Sequence, residues 1–236
     1  MDSSTNSNIR VEMMRQRDEI QAVAFDLDGL MFNTEELYTE VGGELLGRRG
    51  KICTRELLDQ MMGRPSRVAL QIMIDFHQLD ATVEQLQQET DEVFGTLLAE
   101  RLEPMPGLLP LLDALERHEV PKGIATSSRR DFAENVLKRF ELLERFSFVL
   151  CGDDVREGKP HPEIYLAAAE KLNCHPERML VLEDSQNGCA AAVAAGAFAV
   201  AVPGVQSANH TYDGARFIAR GLNDPRIYES LGIDAS

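Results

Sequence analysis

The chain has no tryptophan, and aromatic residues make up 6% of its 236 positions, so any core must be built mainly from aliphatic side chains. Cysteine is scarce as well. The four, Cys53, Cys151, Cys174 and Cys189, contain no C-x-x-C pair, which excludes the usual zinc and dithiol redox spacings. A chain of this length needs no disulfide scaffold, so free thiols in a reducing cytoplasm are expected. Positive charge is in short supply. With 24 Lys+Arg against 39 Asp+Glu the net charge is -15, which leaves no broad basic surface for nucleic acid or an anionic membrane. Long apolar runs are missing: the most apolar stretch, Cys189 to Val202, is too short to span a bilayer. The opening MDSSTNSNIR has no apolar segment of the secretory kind. The expectation is a soluble cytoplasmic protein, a monomer by default, without nucleic-acid or membrane partners.

Hydrophobic residues nevertheless make up 44% of the chain, enough for a sizeable core. Residues 1–19 are polar and read as a loose tail, with a short helix possible from Val11 to Arg17. From there the chain repeats one pattern. QAVAFD (21–26), PKGIAT (121–126), FSFVL (146–150), RMLVLED (178–184) and AFAVAV (197–202) are short apolar runs that read as buried parallel strands. Helical patterns separate them. DFAENVLKRFELLERF repeats Phe132, Val136, Leu137, Phe140 and Leu143 at helical spacing, PEIYLAAAEKL forms another helix, and a third runs from Gln186 to a Gly196 cap. Alternation of this kind predicts an α/β fold, a Rossmann-like parallel sheet flanked by helices.

The segment 35–103 breaks the rhythm, with helical patterns and no convincing strand. One helix carries Val68, Leu70, Ile72, Met73, Phe76 and Leu79. Another starts at the capping box formed by Thr82 and Gln85. The expected organisation is therefore an α/β core of residues 20–34 and 104–236, with 35–103 as an inserted α-helical cap.

Ligands of open parallel sheets bind beyond the carboxyl ends of the strands. Here those ends read Asp26-Leu27-Asp28-Gly29, Thr126-Ser127-Ser128 and Glu183-Asp184-Ser185, with Gly158-Lys159-Pro160 between the last two. Converging carboxylates require a cation, and a hard oxygen-ligated ion such as Mg²⁺ suits Asp26, Asp184 and Glu183. With charge screened by the ion and Lys159, one aspartate can attack phosphorus. Asp28 can then move the proton, while Thr126 and nearby N–H groups hold the phosphoryl oxygens. A calcium loop beginning at D-x-D-G fails, because Leu30 and Met31 stand where a ligand and a glycine would be needed. Taken singly, the Thr/Ser cluster reads as a helix cap, Lys159 as a solvated lysine and Glu183-Asp184 as a capping pair.

FDLDGL, IATSS, EGKPHPEIY and LVLEDSQNG, in this order, resemble the four motifs of the haloacid dehalogenase superfamily of phosphatases over residues 20–220. The all-helical insert is similar to that of the subgroup with a small α-helical cap. The resemblance implies Asp26 as nucleophile, Asp28 as acid/base, and Thr126 and Lys159 as positioners of phosphate and nucleophile. It also implies Mg²⁺ held by Asp26, Asp184, Glu183 and the main-chain carbonyl of Asp28. Ser127, Ser128, Thr34, Arg64 and Arg67 are the candidate substrate-binding residues, the two arginines either as a clamp for a second anionic or sugar group or as ordinary solvated charges at a helix start.

DLDGLMFNTEELY and MGRPSRVALQIMIDFHQL look most like the pseudouridine-5'-phosphatase-like branch, with the β-phosphoglucomutases as the alternative. The mutase pattern has an arginine three residues beyond the cap glycine; counting from Gly63, that position is Ser66. A further departure is Asn33, which replaces the family's usual aspartate. Hydrolysis of a small phosphorylated metabolite is the first expectation and phosphomutase activity the second. A catalytically silent phosphate-binding protein is the alternative outside enzymes.

Overall fold

The computed structural model describes residues 20–61 and 66–234. The tail with its possible helix at Val11–Arg17, Gly63 and Arg64 lie outside the described residues. The chain forms two compact units: Phe32–Glu103 is one, and the chain up to Met31 together with Pro104 onward is the other.

The second of these is α/β. Its six parallel strands are β1 (Ala22–Phe25), β2 (Lys122–Ala125), β3 (Val149–Leu150), β4 (Met179–Glu183), β5 (Phe198–Ala201) and β6 (Phe217–Ile218), in the order β3-β2-β1-β4-β5-β6. Every residue of β1, β2 and β4 is buried, as strands covered on both faces require. β1 and β4 pair in a register that sets Phe25 beside Leu182, and the Asp26 N–H donates to the Leu182 carbonyl at 3.0 Å. The acids that follow the two strands therefore emerge side by side. They do so where the sheet reverses its building direction, the place where open α/β sheets bind ligands.

Among the described residues of the helical unit are four helices: α1 (Thr34–Gly47), α2 (Arg55–Met61), α3 (Ser66–His77) and α4 (Val83–Arg101). The capping box before α4 is present, with the Thr82 hydroxyl accepting from the Gln85 N–H and the Gln85 side chain from the Thr82 N–H. In the α/β unit come α5 (Leu108–Arg117), α6 (Arg130–Arg139), α7 (Glu163–Lys171), α8 (Gln186–Ala194) and α9 (Pro225–Leu231). Gly107 opens α5 at φ 88°, and a Cβ there would lie 2.8 Å from the Asn223 backbone nitrogen, so both conformation and space require glycine.

One sheet face is lined by Ala22, Ala24, Ala125, Met179, Val181 and Ala199, and α7 and α8 meet it through Ala168, Ala169, Ala191 and Ala192. Such small side chains let the helix axes come close to the strands.

Two expectations need correction. The helix after β2 does not run to Phe146: α6 stops at Arg139, Glu141 takes φ 58°, and Leu143–Arg145 form a separate 3₁₀ turn. The apolar spacing of Phe140 and Leu143 continues through a chain reversal that periodicity cannot see. β6 was not expected at all; it is two residues long and Ile218 is exposed. Among the described residues no helix is long and apolar enough to cross a membrane, and the four cysteines are free.

Candidate active site

The cluster is assembled from strand ends. Asp26 follows β1, Thr126 follows β2, and Glu183 ends β4 with Asp184 next to it. All four are buried. Lys159 reaches in from the loop before α7 with its side chain only 5% exposed, so it is far from the solvated lysine that its sequence context suggests. Its three ammonium protons have three acceptors: Asp26 Oδ1 at 2.5 Å, Glu183 Oε1 at 2.7 Å and the Ala125 carbonyl at 2.9 Å.

Glu183 is more fully engaged than a capping residue would be. Besides Lys159, Oε1 accepts from the Tyr165 hydroxyl at 2.8 Å. Oε2 accepts from the Ser185 N–H at 3.2 Å and the Ser185 hydroxyl at 3.0 Å. Capping of α8 falls instead to Ser185, whose Oγ accepts from the Gly188 N–H at 3.0 Å. A Cβ at Gly188 would stand 1.6 Å from Glu183 Oε1, so the first turn of α8 closes directly over the carboxylate.

The hydroxyls after β2 do not cap α6, whose N-cap is Arg129. Ser128 Oγ donates to Asp28 Oδ2 at 2.5 Å, and Thr126 Oγ1 makes a longer contact with the same oxygen at 3.4 Å while accepting from the Ser128 N–H at 3.0 Å. Asp28, half-buried, is thus aimed by β2's loop. Ser127, between the two, is exposed. Tyr212 fixes the main chain on the other flank, with its hydroxyl against the carbonyls of Asp184 at 2.7 Å and Ser207 at 2.9 Å.

Burial pushes the Asp26 carboxyl well above the usual carboxylate range; Lys159 pulls it down, and Glu183 and Asp28 push it up further. Burial alone would lower the Lys159 ammonium, but Asp26 and Glu183 outweigh it and hold it above the ordinary lysine range. Tyr165, buried against Glu183, is raised well above the tyrosine range and stays a donor. Burial is the largest influence on Asp26 and Tyr165, and the neighbouring carboxylates push in the same direction in all three groups.

Asp26, Glu183 and Asp184 offer carboxylate oxygens all within 4.8 Å of one another. Three buried carboxylates against one buried ammonium, all ionised, leave a formal excess of two negative charges, which a divalent cation would balance. The all-oxygen donor set suits Mg²⁺.

Thr34 and Arg67 belong to the helical unit. Thr34 opens α1 and is fully buried, whereas Arg67 is exposed and paired with Glu84 at 2.5 Å. The Asn33 side chain does not cap α1, although its carbonyl accepts from the Glu36 N–H at 3.1 Å: Oδ1 accepts from the Glu103 N–H at 2.9 Å and Nδ2 donates to the Arg101 carbonyl at 3.2 Å. Asp153 and Asp154 form a 3₁₀ turn, where Asp154 pairs with Arg130 at 2.6 Å. The histidines show no metal-ligand spacing in sequence, yet His161 does meet Glu157 and Glu163 in a largely exposed group. Tyr165 and Tyr212 escaped the sequence reading. The available signal was that a buried tyrosine hydroxyl needs a partner.

The description "haloacid dehalogenase-like hydrolase" belongs to the family model that matches residues 23–202. A phosphorylated-carbohydrate phosphatase from Thermotoga maritima is 34% identical over 177 residues, 75% of this chain and 82% of the relative. A candidate pseudouridine-5'-phosphatase from Drosophila melanogaster is 32% identical over 217 residues, 89% of this chain and 93% of the relative. Among solved structures, a candidate beta-phosphoglucomutase from Thermotoga maritima superposes with a TM-score of 0.75 at 30% identity, covering 89% of this chain and 99% of that one. With similarity of this extent in sequence and in fold, the chain belongs to the haloacid dehalogenase-like hydrolases.

Proposed function

We propose that the protein is a Mg²⁺-dependent phosphatase that hydrolyses a small phosphomonoester, a sugar or nucleoside phosphate, through an aspartyl-phosphate on Asp26. The observation that carries this reading is the buried Lys159 bound at once to Asp26 and Glu183, with Asp28 aimed beside them by Ser128. Asp26, Glu183 and Asp184, with the Asp28 carbonyl implied by the family resemblance, are the residues that would hold the ion. Bound there, Mg²⁺ supplies Lewis-acid neutralisation of the phosphoryl charge.

In the first step an Asp26 carboxylate oxygen attacks phosphorus, the ester P–O bond breaks, and Asp28 gives its proton to the departing alkoxide. In the second, Asp28 takes a proton from water, the water oxygen attacks the same phosphorus, and the Asp26–phosphorus bond breaks to release inorganic phosphate. Lys159 holds Asp26 in place, and the role assigned to Thr126 is to hold an equatorial phosphoryl oxygen. The helical unit, 32–103, serves as the cap that sets substrate choice, with Arg64 and the exposed Arg67 as its substrate contacts; Ser127 is the exposed candidate contact of the α/β unit, whereas Thr34 is too deeply buried to be one.

Phosphomutase activity is the second reading, favoured by the fold match to the candidate beta-phosphoglucomutase. Against it stands Ser66, whose hydroxyl bonds Gln87 at 2.6 Å in the position where the mutase pattern has an arginine. A panel of phosphorylated metabolites with Mg²⁺, read for both freed phosphate and isomerised sugar phosphate, separates the two. Freed phosphate supports hydrolysis, and isomerisation without net release supports the mutase. Equal turnover by wild type and Asp26→Asn refutes both.

A further inference from the structure

We propose that Tyr165 is a positioning residue for phosphoryl transfer: its hydroxyl, together with the N–H and O–H of Ser185, holds Glu183 as the fixed anion beneath Lys159, making Glu183 the lysine's anchor rather than a metal ligand. This deepens the phosphatase reading and rests on it, revising one assignment there: Glu183 leaves the set of residues that would hold the ion. Each Glu183 oxygen already accepts two hydrogen bonds, Oε1 from Lys159 and Tyr165 and Oε2 from the Ser185 N–H and hydroxyl. Those four fill the in-plane acceptor positions of a carboxylate. Gly188 closes the Oε1 side, where even a methyl carbon would overlap the oxygen. The carboxylate is fully buried and held from the loop before α7, from α7 itself and from the start of α8. Asp26 and Asp184 remain as the carboxylates that carry the ion.

Tyr165 also touches the lysine directly, with Nζ 5.0 Å from its ring centroid. Its role therefore divides into two parts. The ring packs against the alanine-lined sheet face, and the hydroxyl sets one of the four bonds on Glu183. Tyr165→Phe keeps the first and deletes only the second.

Three variants of the full chain, Tyr165→Phe, Glu183→Gln and the double substitution, are compared with wild type for phosphate release in Mg²⁺. Mg²⁺ binding to each, and to Asp184→Asn, is measured by calorimetry without substrate. Tyr165→Phe should lower kcat about tenfold with KM within about twofold, the scale of one hydrogen bond to a charged group. The double variant should be no slower than Glu183→Gln, because Tyr165 acts through Glu183. Mg²⁺ affinity should stay within about threefold of wild type in Tyr165→Phe and Glu183→Gln and fall more than tenfold in Asp184→Asn. Wild-type kcat in Tyr165→Phe, independent losses in the double variant, or Mg²⁺ binding weakened as much by Glu183→Gln as by Asp184→Asn overturns the proposal. Wild type that releases no phosphate from any phosphomonoester defeats the phosphatase reading instead, and the calorimetry then still decides what Glu183 holds.

Discussion

Replacing Lys159 with methionine keeps the length of the side chain but removes the one ammonium shared by Asp26 and Glu183. The lysine makes contacts of 2.5 and 2.7 Å to carboxylates whose side chains are 9% and 0% exposed, so neither can recover its hydration after the substitution. Taking one partner out of a buried ion pair costs about 3–5 kcal/mol, because an uncompensated charge stays behind. The protein can limit the loss by binding protons. Asp26 is already raised in wild type, and losing the lysine that pulls it down raises it further, so above the wild-type value the folded variant keeps a proton that folded wild type has released, and its stability falls more steeply with pH, by up to about 1.4 kcal/mol per pH unit. The deficit relative to wild type should therefore widen as pH rises through the wild-type value of about 8, between pH 7 and pH 9. Added Mg²⁺ should narrow it, since the ion restores positive charge to the same carboxylates. Urea unfolding of both proteins at the two pH values, with and without Mg²⁺, measures all of this. Equal stability of variant and wild type, a deficit that shrinks with rising pH, or indifference to Mg²⁺ refutes the argument that these acids are held together by shared cations.

Asp26→Asn should cut phosphate release by at least about 10³-fold, as expected when a nucleophile is lost, while thermal unfolding stays near that of wild type; retained turnover excludes Asp26 as the nucleophile. Asn33→Asp keeps the acceptor for the Glu103 N–H but loses the donor to the Arg101 carbonyl, and should destabilise the helical unit by about 1 kcal/mol. Hydrogen exchange at α1 and α4 tests this, and unchanged protection contradicts it. Glu116 is drawn from the ordinary 4.5 down to about 2, first by its hydrogen bonds from Arg145, and also by Lys122, with burial opposing. A depressed carboxyl contributes stability that is complete above pH 4.5 and lost as pH falls toward 2, so the advantage of wild type over Glu116→Gln should shrink between pH 5 and pH 3 in thermal melts. A constant difference across that range would mean that the ion pair is not the source of the shift.

How much of this could be read beforehand differs from residue to residue. Asp26, Thr126 and Glu183 were legible because a parallel strand buried on both faces is an apolar run, and the first polar residue after it marks the end of the sheet where ligands bind. Lys159 was legible only through the motif around it, since its burial depends on a loop whose course local patterns do not encode. Tyr165 sits beside Ile164 on the buried side of α7 and reads as one more apolar position until its hydroxyl is seen against Glu183. Ser128 followed the same logic: a hydroxyl after a strand suggests a helix cap, but Asp28 from another strand competes for it and wins. The end of α6 is not legible in the sequence, because apolar spacing carries on through Glu141, where only the backbone angle reveals the reversal.

The alanine-rich seam between the sheet and its two covering helices carries a consequence for how the protein tolerates change. α7 bears Tyr165 and the start of α8 brings Ser185 and Gly188 to Glu183, so both helices reach the buried carboxylate as well as walling the fold. A single extra methyl group at Ala168 or Ala191, remote from any substrate, would wedge one of them outward and pull a donor off the carboxylate. On the phosphatase reading, damage there would show in turnover as well as in stability, which makes the plainest residues in the sequence guardians of its most exacting distances.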